Sequence, residues 1–357
     1  MKFINLCIIF ILNSSVIWTD QNYFDCYYED VIDHSTISVN FIGMTLTPKY
    51  LKKGCADKTT GCGAKAASDD DCKTHCGIQV LAIDAGTPGR HAMTSKMLAE
   101  RFAPGILISY INHFNPEITL NVEFQGFLKW HNQEYARSVD CNDGHIEIPF
   151  GPLTHCDESS DWNNAGFAYF SYETALNSVA ASLISHSSPV YLDYFTLSIS
   201  AGMRYLLYSE SLKIKAHAPK HLSCYSVNTD NNLIGIQGGG RFSYSSSKFY
   251  IWTFDLKGGV FANLIQAHPQ LFDDNNTKVL FNEKVKERTL SYIVEMHPYS
   301  VYNVTDFFFI ETAYQGLVIW NLSLARKFVS FTRDQSDVYT RSYRYYNSFQ
   351  VGVGFRF

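Results

Sequence analysis

Phe349-Gln350-Val351-Gly352-Val353-Gly354-Phe355-Arg356-Phe357 alternates without a break. Successive side chains of a strand point to opposite faces. Phe349, Val351, Val353, Phe355 and Phe357 therefore share one face, and Gln350, Gly352, Gly354 and Arg356 the other. In an edge strand of a soluble β-domain the apolar face would turn to a core. In a membrane barrel it would turn outward to lipid, leaving small and polar residues to the lumen. The two readings are separated by what the rest of the chain does.

Working back, the same alternation returns in segment after segment. Residues 118–130 set Leu120, Val122, Phe124, Gly126 and Leu128 against Thr119, Asn121, Glu123 and Gln125. Residues 194–216 set Leu197, Ile199, Ala201, Met203 and Tyr205 against Thr196, Ser198, Ser200, Gly202 and Arg204. Segments 36–46, 106–112, 165–182, 233–244, 248–267, 288–297 and 306–326 follow the pattern; 165–182 does so more weakly, with Glu173 and Asn177 assigned to its polar face. With the terminal stretch this makes about ten strands, joined alternately by tight turns and long loops, as in an outer-membrane barrel. The expected fold class is all-β: a transmembrane antiparallel β-barrel of about ten strands (range about 8–14) with short periplasmic turns and long extracellular loops. Residues 36–46 should pair with 349–357 to close it.

Met1-Lys2 and the apolar run Leu6-Cys7-Ile8-Ile9-Phe10-Ile11-Leu12 read as a secretory signal, the run being too short to cross a bilayer. The expected division is a signal peptide over 1–19, a periplasmic leader over 20–35 and a barrel over 36–357, with 51–103 as a Cys-rich extracellular loop. The chain of 357 residues carries a net charge of −5, 46% hydrophobic residues, 23 Tyr and 26 Phe. Nothing is basic enough to suggest nucleic acid, and no later apolar run approaches the ~18 residues of a membrane helix.

Of the nine cysteines, Cys7 lies in the signal. An even remainder in an exported chain suggests disulfides. Cys55, Cys62, Cys72 and Cys76 can close two bridges within the first long loop, and Cys141 with Cys156 a third. Cys26 and Cys224, expected in a periplasmic leader and an outer loop, are left for bonds between chains. A metal centre at Cys55, Cys62, Cys72, His75 and Cys76 is not expected, because Cys72-x-x-x-Cys76 lacks a matched second pair.

Several motifs then stand in order: Ser200-Ala201-Gly202-Met203-Arg204-Tyr205-Leu206, Ile234-Gly235-Ile236-Gln237-Gly238-Gly239-Gly240-Arg241, Lys257-Gly258-Gly259-Val260-Phe261-Ala262-Asn263, Ala313-Tyr314-Gln315-Gly316-Leu317-Val318-Ile319-Trp320 and the terminal Gly352-Val353-Gly354-Phe355-Arg356-Phe357. Together they resemble the outer-membrane β-barrel porin family of planctomycetes, related to the major outer membrane proteins of environmental chlamydiae and Legionella. The resemblance covers roughly 36–357 and does not extend to the Cys-rich loop. It implies a single outer-membrane barrel acting as a porin or structural surface protein, with disulfide links to envelope proteins or to a second copy. The terminal strand similarly resembles the signal read by the barrel assembly machinery, carried by Phe349, Val351, Val353, Phe355 and Phe357.

By parity the lumen-lining charges should be Glu123, Glu173, Arg204, Arg241, Lys257, Glu295, Glu311 and Arg356. They would line a water-filled pore or pair into a plug. Eight strands leave an interior just filled by side chains and sixteen an aqueous channel, so about ten should give a narrow or plugged lumen. No nucleophile-elbow context supports a hydrolase, so neither an enzyme nor a cofactor is expected. The expected function is passive diffusion of small solutes, a structural envelope role, or both; the alternative is a surface adhesin or binding protein displaying disulfide-braced loops on a plugged barrel. The expected location is the outer membrane, and the expected partners are its lipid, the assembly machinery and small solutes.

Overall fold

The computed structural model describes residues 35–46, 80–84, 91–94, 102–115, 117–137, 146–147, 165–186, 195–217, 222–247, 249–273, 278–325, 328 and 342–357. They form β1 (Thr36–Leu46), β2 (Val80–Asp84), β3 (His91–Thr94), β4 (Ala103–Asn115), β5 (Ile118–Phe127), β6 (Trp130–Arg137), β7 (Ile146–Glu147), β8 (Phe167–His186), β9 (Phe195–His217), β10 (Leu222–Ser247), β11 (Tyr250–Asp273), β12 (Lys278–Asn282), β13 (Val285–Asn303), β14 (Phe308–Leu322) and β15 (Ser342–Arg356).

Antiparallel pairing runs β1–β4–β5–β8–β9–β10–β11–β13–β14–β15 and returns to β1, so the sheet closes on itself. β6 continues β5 along β8, and β12 leads into β13 along β11. The ring therefore has ten positions, and closure removes the exposed edges an open sheet would leave. The join is continuous from Thr36↔Arg356 to Leu46↔Tyr346. Beyond it Ser35 N–H donates to the Phe357 carbonyl at 2.9 Å and Phe357 N–H to the Ser35 carbonyl at 3.0 Å. The terminal stretch is thus the closing strand, as its alternation suggested.

Turns at Asn115–Ile118, Ser247–Tyr250 and Asn303–Phe308 lie at one end with both sheet termini. Strands β8 to β11 run 20 to 26 residues, far more than the ~9–11 that cross a hydrocarbon layer. The surplus changes character along its length. Near the turn end, outward side chains are apolar: Leu183, Ile199, Met203, Ile234, Ile236, Phe242, Leu256, Val260, Leu290, Val351 and Phe355 are all exposed. Toward the loop end the outward residues of β10 become Asn232, Asp230 and Asn228, while Leu233, Val227 and Tyr225 turn inward and are buried. The alternation keeps its period and exchanges its faces. Below the exchange the protein is apolar outside and polar inside; above it, polar outside and apolar inside, like a water-soluble barrel.

The apolar interior forms two clusters. One gathers Met44, Leu107, Trp130, Leu206, Leu233, Phe261, Leu317 and Tyr346. The other, nearer the loops, gathers Ile146, Phe170, Tyr172, Ile214, Val227 and Leu271.

Several sequence expectations are corrected here. Strands extend past their apolar outward stretches: 233–244 becomes Leu222–Ser247 and 349–357 becomes Ser342–Arg356. Cys224 was expected in a loop but sits within β10, outward-facing opposite Lys215 and Phe272. The long segments 51–103 and 137–164, expected to be loops, contribute β2 and β3 from the first and β7 from the second to a separate three-stranded sheet in which β2 pairs with both others. Cys26, Cys55, Cys62, Cys72, Cys76, Cys141 and Cys156 lie outside the described residues.

Candidate functional site

The lumen is where the sequence reading placed its charges, and it is filled in layers. Nearest the turn end, Arg241 of β10 makes a two-pronged ion pair with Asp255 of β11, Nε to Oδ1 at 2.7 Å and Nη2 to Oδ2 at 2.8 Å, with its guanidinium 5.8 Å from the Tyr299 ring centroid. Arg356 Nη2 donates to Asn303 Oδ1 at 2.8 Å. Asn40 Nδ2 donates to Glu311 Oε1 at 3.4 Å.

The next layer bridges the lumen. Lys257 of β11 reaches Glu123 of β5, four ring positions away, at 3.1 Å. Arg204 of β9 pairs with Glu295 of β13, their side chains only 3% and 4% exposed, and donates from Nε to Ser178 Oγ at 2.8 Å. Gln315 ties this pair to the opposite wall: its Nε2 donates to Glu295 Oε1 at 2.9 Å. Its Oε1 accepts from Gln125 at 2.7 Å and from Ser348 and Gln350 at 3.2 Å. Buried charges persist when paired and further hydrogen-bonded, as these are. The free space among Leu107, Glu123, Gln125, Arg204 and Glu295 is about 10 Å³, the room of a single water.

Of the residues that sequence parity assigned to the lumen, Glu123, Arg204, Arg241, Lys257, Glu295, Glu311 and Arg356 lie on the inner face of the ring. Glu173 does not. That carboxylate faces outward, 35% exposed, 3.2 Å from Nδ1 of its cross-strand neighbour His131. It lies above the exchange of faces, where polar means outside; its inward neighbours Tyr172, Thr174 and Leu176 are buried.

Above the apolar cluster is a second polar layer that parity missed. Arg344 of β15 donates to Glu210 of the diametrically opposed β9 at 2.5 Å and also to Tyr172 Oη; Tyr208 Oη donates to the same carboxylate. The remaining Glu210 oxygen accepts the backbone N–H of Ala325 at 2.7 Å. That contact belongs to an inserted strap. At the end of β14, Asn321 takes a left-handed φ of 61°, a conformation Asn adopts more readily than most residues. The chain then turns into the barrel, where Leu322, Ser323, Leu324 and Ala325 are fully buried. Asn231 holds Ser323 by both backbone groups, Nδ2 to its carbonyl at 2.8 Å and Oδ1 from its N–H at 2.9 Å. Asn263 and Ser291 donate to the Asn321 carbonyl at 3.3 and 3.0 Å. The carboxylate and amides thus supply partners for strap backbone groups that burial removes from water.

A signal for this layer was present. Leu206-Leu207, Leu233-Ile234 and Leu264-Ile265 are doubled apolar residues that break the alternation. Pairing places them side by side, with Leu206↔Leu233, Leu207↔Asn232 and Asn232↔Leu264. They mark the height at which the faces exchange.

No protein-family model and no curated protein matches the chain. Among solved structures it is similar to the outer membrane protease OmpT of Escherichia coli, at 9% identity over 91% of this chain and 95% of that one, TM-score 0.40. It is also similar to the translocator domain of autotransporter NalP from Neisseria meningitidis, at 9% identity over 94% and 95%, TM-score 0.36. A third is Ail, the attachment invasion locus protein of Yersinia pestis, at 9% identity over 91% and 99%, TM-score 0.26. Likenesses this distant carry no functional argument.

Proposed function

We propose that this chain is an outer-membrane β-barrel protein whose lumen is closed to solutes, serving as a structural envelope element that carries its loop end above the membrane. The filled lumen carries this reading. Three ion-paired layers and two apolar clusters, with the strap packed into both clusters, fill the lumen, and the space left beside Arg204 is about 10 Å³. Membrane placement is supported by the outward belt. On β10 it runs from Ile234 to Phe242, the length a barrel strand needs to cross hydrocarbon. Among the described residues no belt position that points outward carries a charge. An outward Arg or Lys at mid-bilayer would cost about 2–4 kcal/mol. Aromatic rings gather at its turn-end rim, Phe195 stacking on Phe242 and Trp252 on Phe254, as at a lipid–water boundary.

Within this proposal the outward face Phe349, Val351, Val353, Phe355 and Phe357 is what the barrel assembly machinery engages. Kinship with the planctomycete and chlamydial barrels rests on the ordered glycine-rich motifs. The role is display and envelope structure; catalysis is no part of it. Passive diffusion is the reading the packing disfavours. Liposomes bearing the folded protein, with insertion verified by altered gel mobility on boiling, should not swell in isosmotic arabinose. Swelling at the rate of a general porin would overturn the proposal.

A further inference from the structure

The outward surface above the belt is polar, but one tract of it combines cations with outward-facing rings. Cross-strand pairing aligns Tyr135, Tyr169 and Lys215 in one row, with Arg137 and Phe167 in the row beyond and Lys213 in the row before. Tyr135 is 59% exposed. Its ring stacks on Phe167 at 5.6 Å and lies 5.3 Å from Tyr169. Lys215 Nζ stands 5.8 Å from the Tyr169 ring centroid. The one carboxylate on the outer face of β6 and β8 nearby, Glu173, is engaged by His131. An exposed Tyr135 ring, with partly exposed Tyr169 beside it and ammonium and guanidinium groups alongside, suits a ligand that is both ring-shaped and anionic.

Height narrows the ligand further. Lys213 and Lys215 lie six and eight residues beyond Leu207, the last apolar outward residue of β9. At about 3.3 Å per residue and the tilt of about 35–45° usual in such barrels, they stand roughly 15–20 Å above the hydrocarbon edge. A phospholipid headgroup layer is only about 5–8 Å deep, so its phosphates do not reach them. Resting on the outer-membrane reading above, we propose that this tract binds the acidic saccharide headgroup of an outer-leaflet glycolipid, with Lys213, Lys215 and Arg137 meeting its phosphates and Tyr135 and Tyr169 packing on its sugar rings. The site continues the lipid contact of the belt upward instead of forming a separate surface.

The test uses full-length folded protein in phosphatidylcholine liposomes doped with a lipooligosaccharide bearing a phosphorylated core, its dephosphorylated form, or phosphatidylglycerol. Retention of labelled lipid by the purified protein is the readout. Preference for the phosphorylated glycolipid over both others is expected. Lys213→Glu/Lys215→Glu should lower its retention by at least about tenfold, Tyr135→Ser should weaken it, and Lys213→Arg/Lys215→Arg should preserve it. Equal retention of phosphatidylglycerol, or of the dephosphorylated form, would overturn the inference while leaving the membrane reading intact. A double Glu variant that inserts and binds like the parent would overturn it too. Failure of the parent protein to insert would remove the membrane reading and this inference together.

Discussion

Arg204 and Glu295 meet inside a ring of strands because a barrel this narrow brings side chains three ring positions apart within reach of each other. Removing one partner strands the other in a dry, low-dielectric site, at a cost of about 3–5 kcal/mol. Glu295→Gln is therefore expected to lower the urea midpoint of the folded barrel markedly. Arg204→Met/Glu295→Leu should lose less, since it leaves no unpaired charge. A Glu295→Gln barrel as stable as the parent would mean the pair contributes nothing. The terminal glycines make a second case at this scale. A Cβ on Gly354 would lie 2.0 Å from the Phe309 ring, and one on Gly352 1.8 Å from Asn40 Oδ1. Gly354→Ala should thus weaken closure of β15 on β14, read as a lower melting temperature of the unboiled gel form. The inward charges of the belt were legible because lipid outside forbids charge there. Glu173 and Glu210 were not, because above the belt water accepts a charge outside and a buried ion pair holds one inside.

At the scale of elements, the strap is the part furthest from anything alternation encodes. Leu322 to Ala325 is apolar and short, and its burial depends on amides from β10 and β11 that sequence reading assigned no role. Asn231→Ala would leave both backbone groups of Ser323 without their partners, a loss of about 1–3 kcal/mol for each buried group. That variant is expected to show faster amide exchange and a new protease cut within 321–325 while the barrel still migrates as folded. Unchanged protection would show that apolar packing alone seats the strap. Strand number, the tight turns and the β1–β15 closure were readable, since each rests on local period and turn chemistry. Strand length was not. The upper halves of β8 to β11 carry a second alternation of opposite phase, and a search for apolar outward residues stops where the phases meet.

For the whole molecule, the exchange of faces turns one continuous sheet into two environments, a lipid-facing lower barrel and a water-facing upper one. The sequence marks the boundary with the doubled residues Leu206-Leu207, Leu233-Ile234 and Leu264-Ile265, which pairing sets at one height. This division underlies the belt, the buried strap and the proposed glycolipid tract alike. It is tested most directly by spin labels placed singly at the outward positions 226, 228, 230, 232, 234, 236, 238, 240 and 242 of β10 in liposome-inserted protein, comparing relaxation by oxygen with relaxation by a water-soluble nickel chelate. Labels at 234 to 240 are predicted to report lipid and those at 226 to 230 water, with the crossover at 232–234. Water exposure at every position, or lipid exposure continuing to 226, would contradict it.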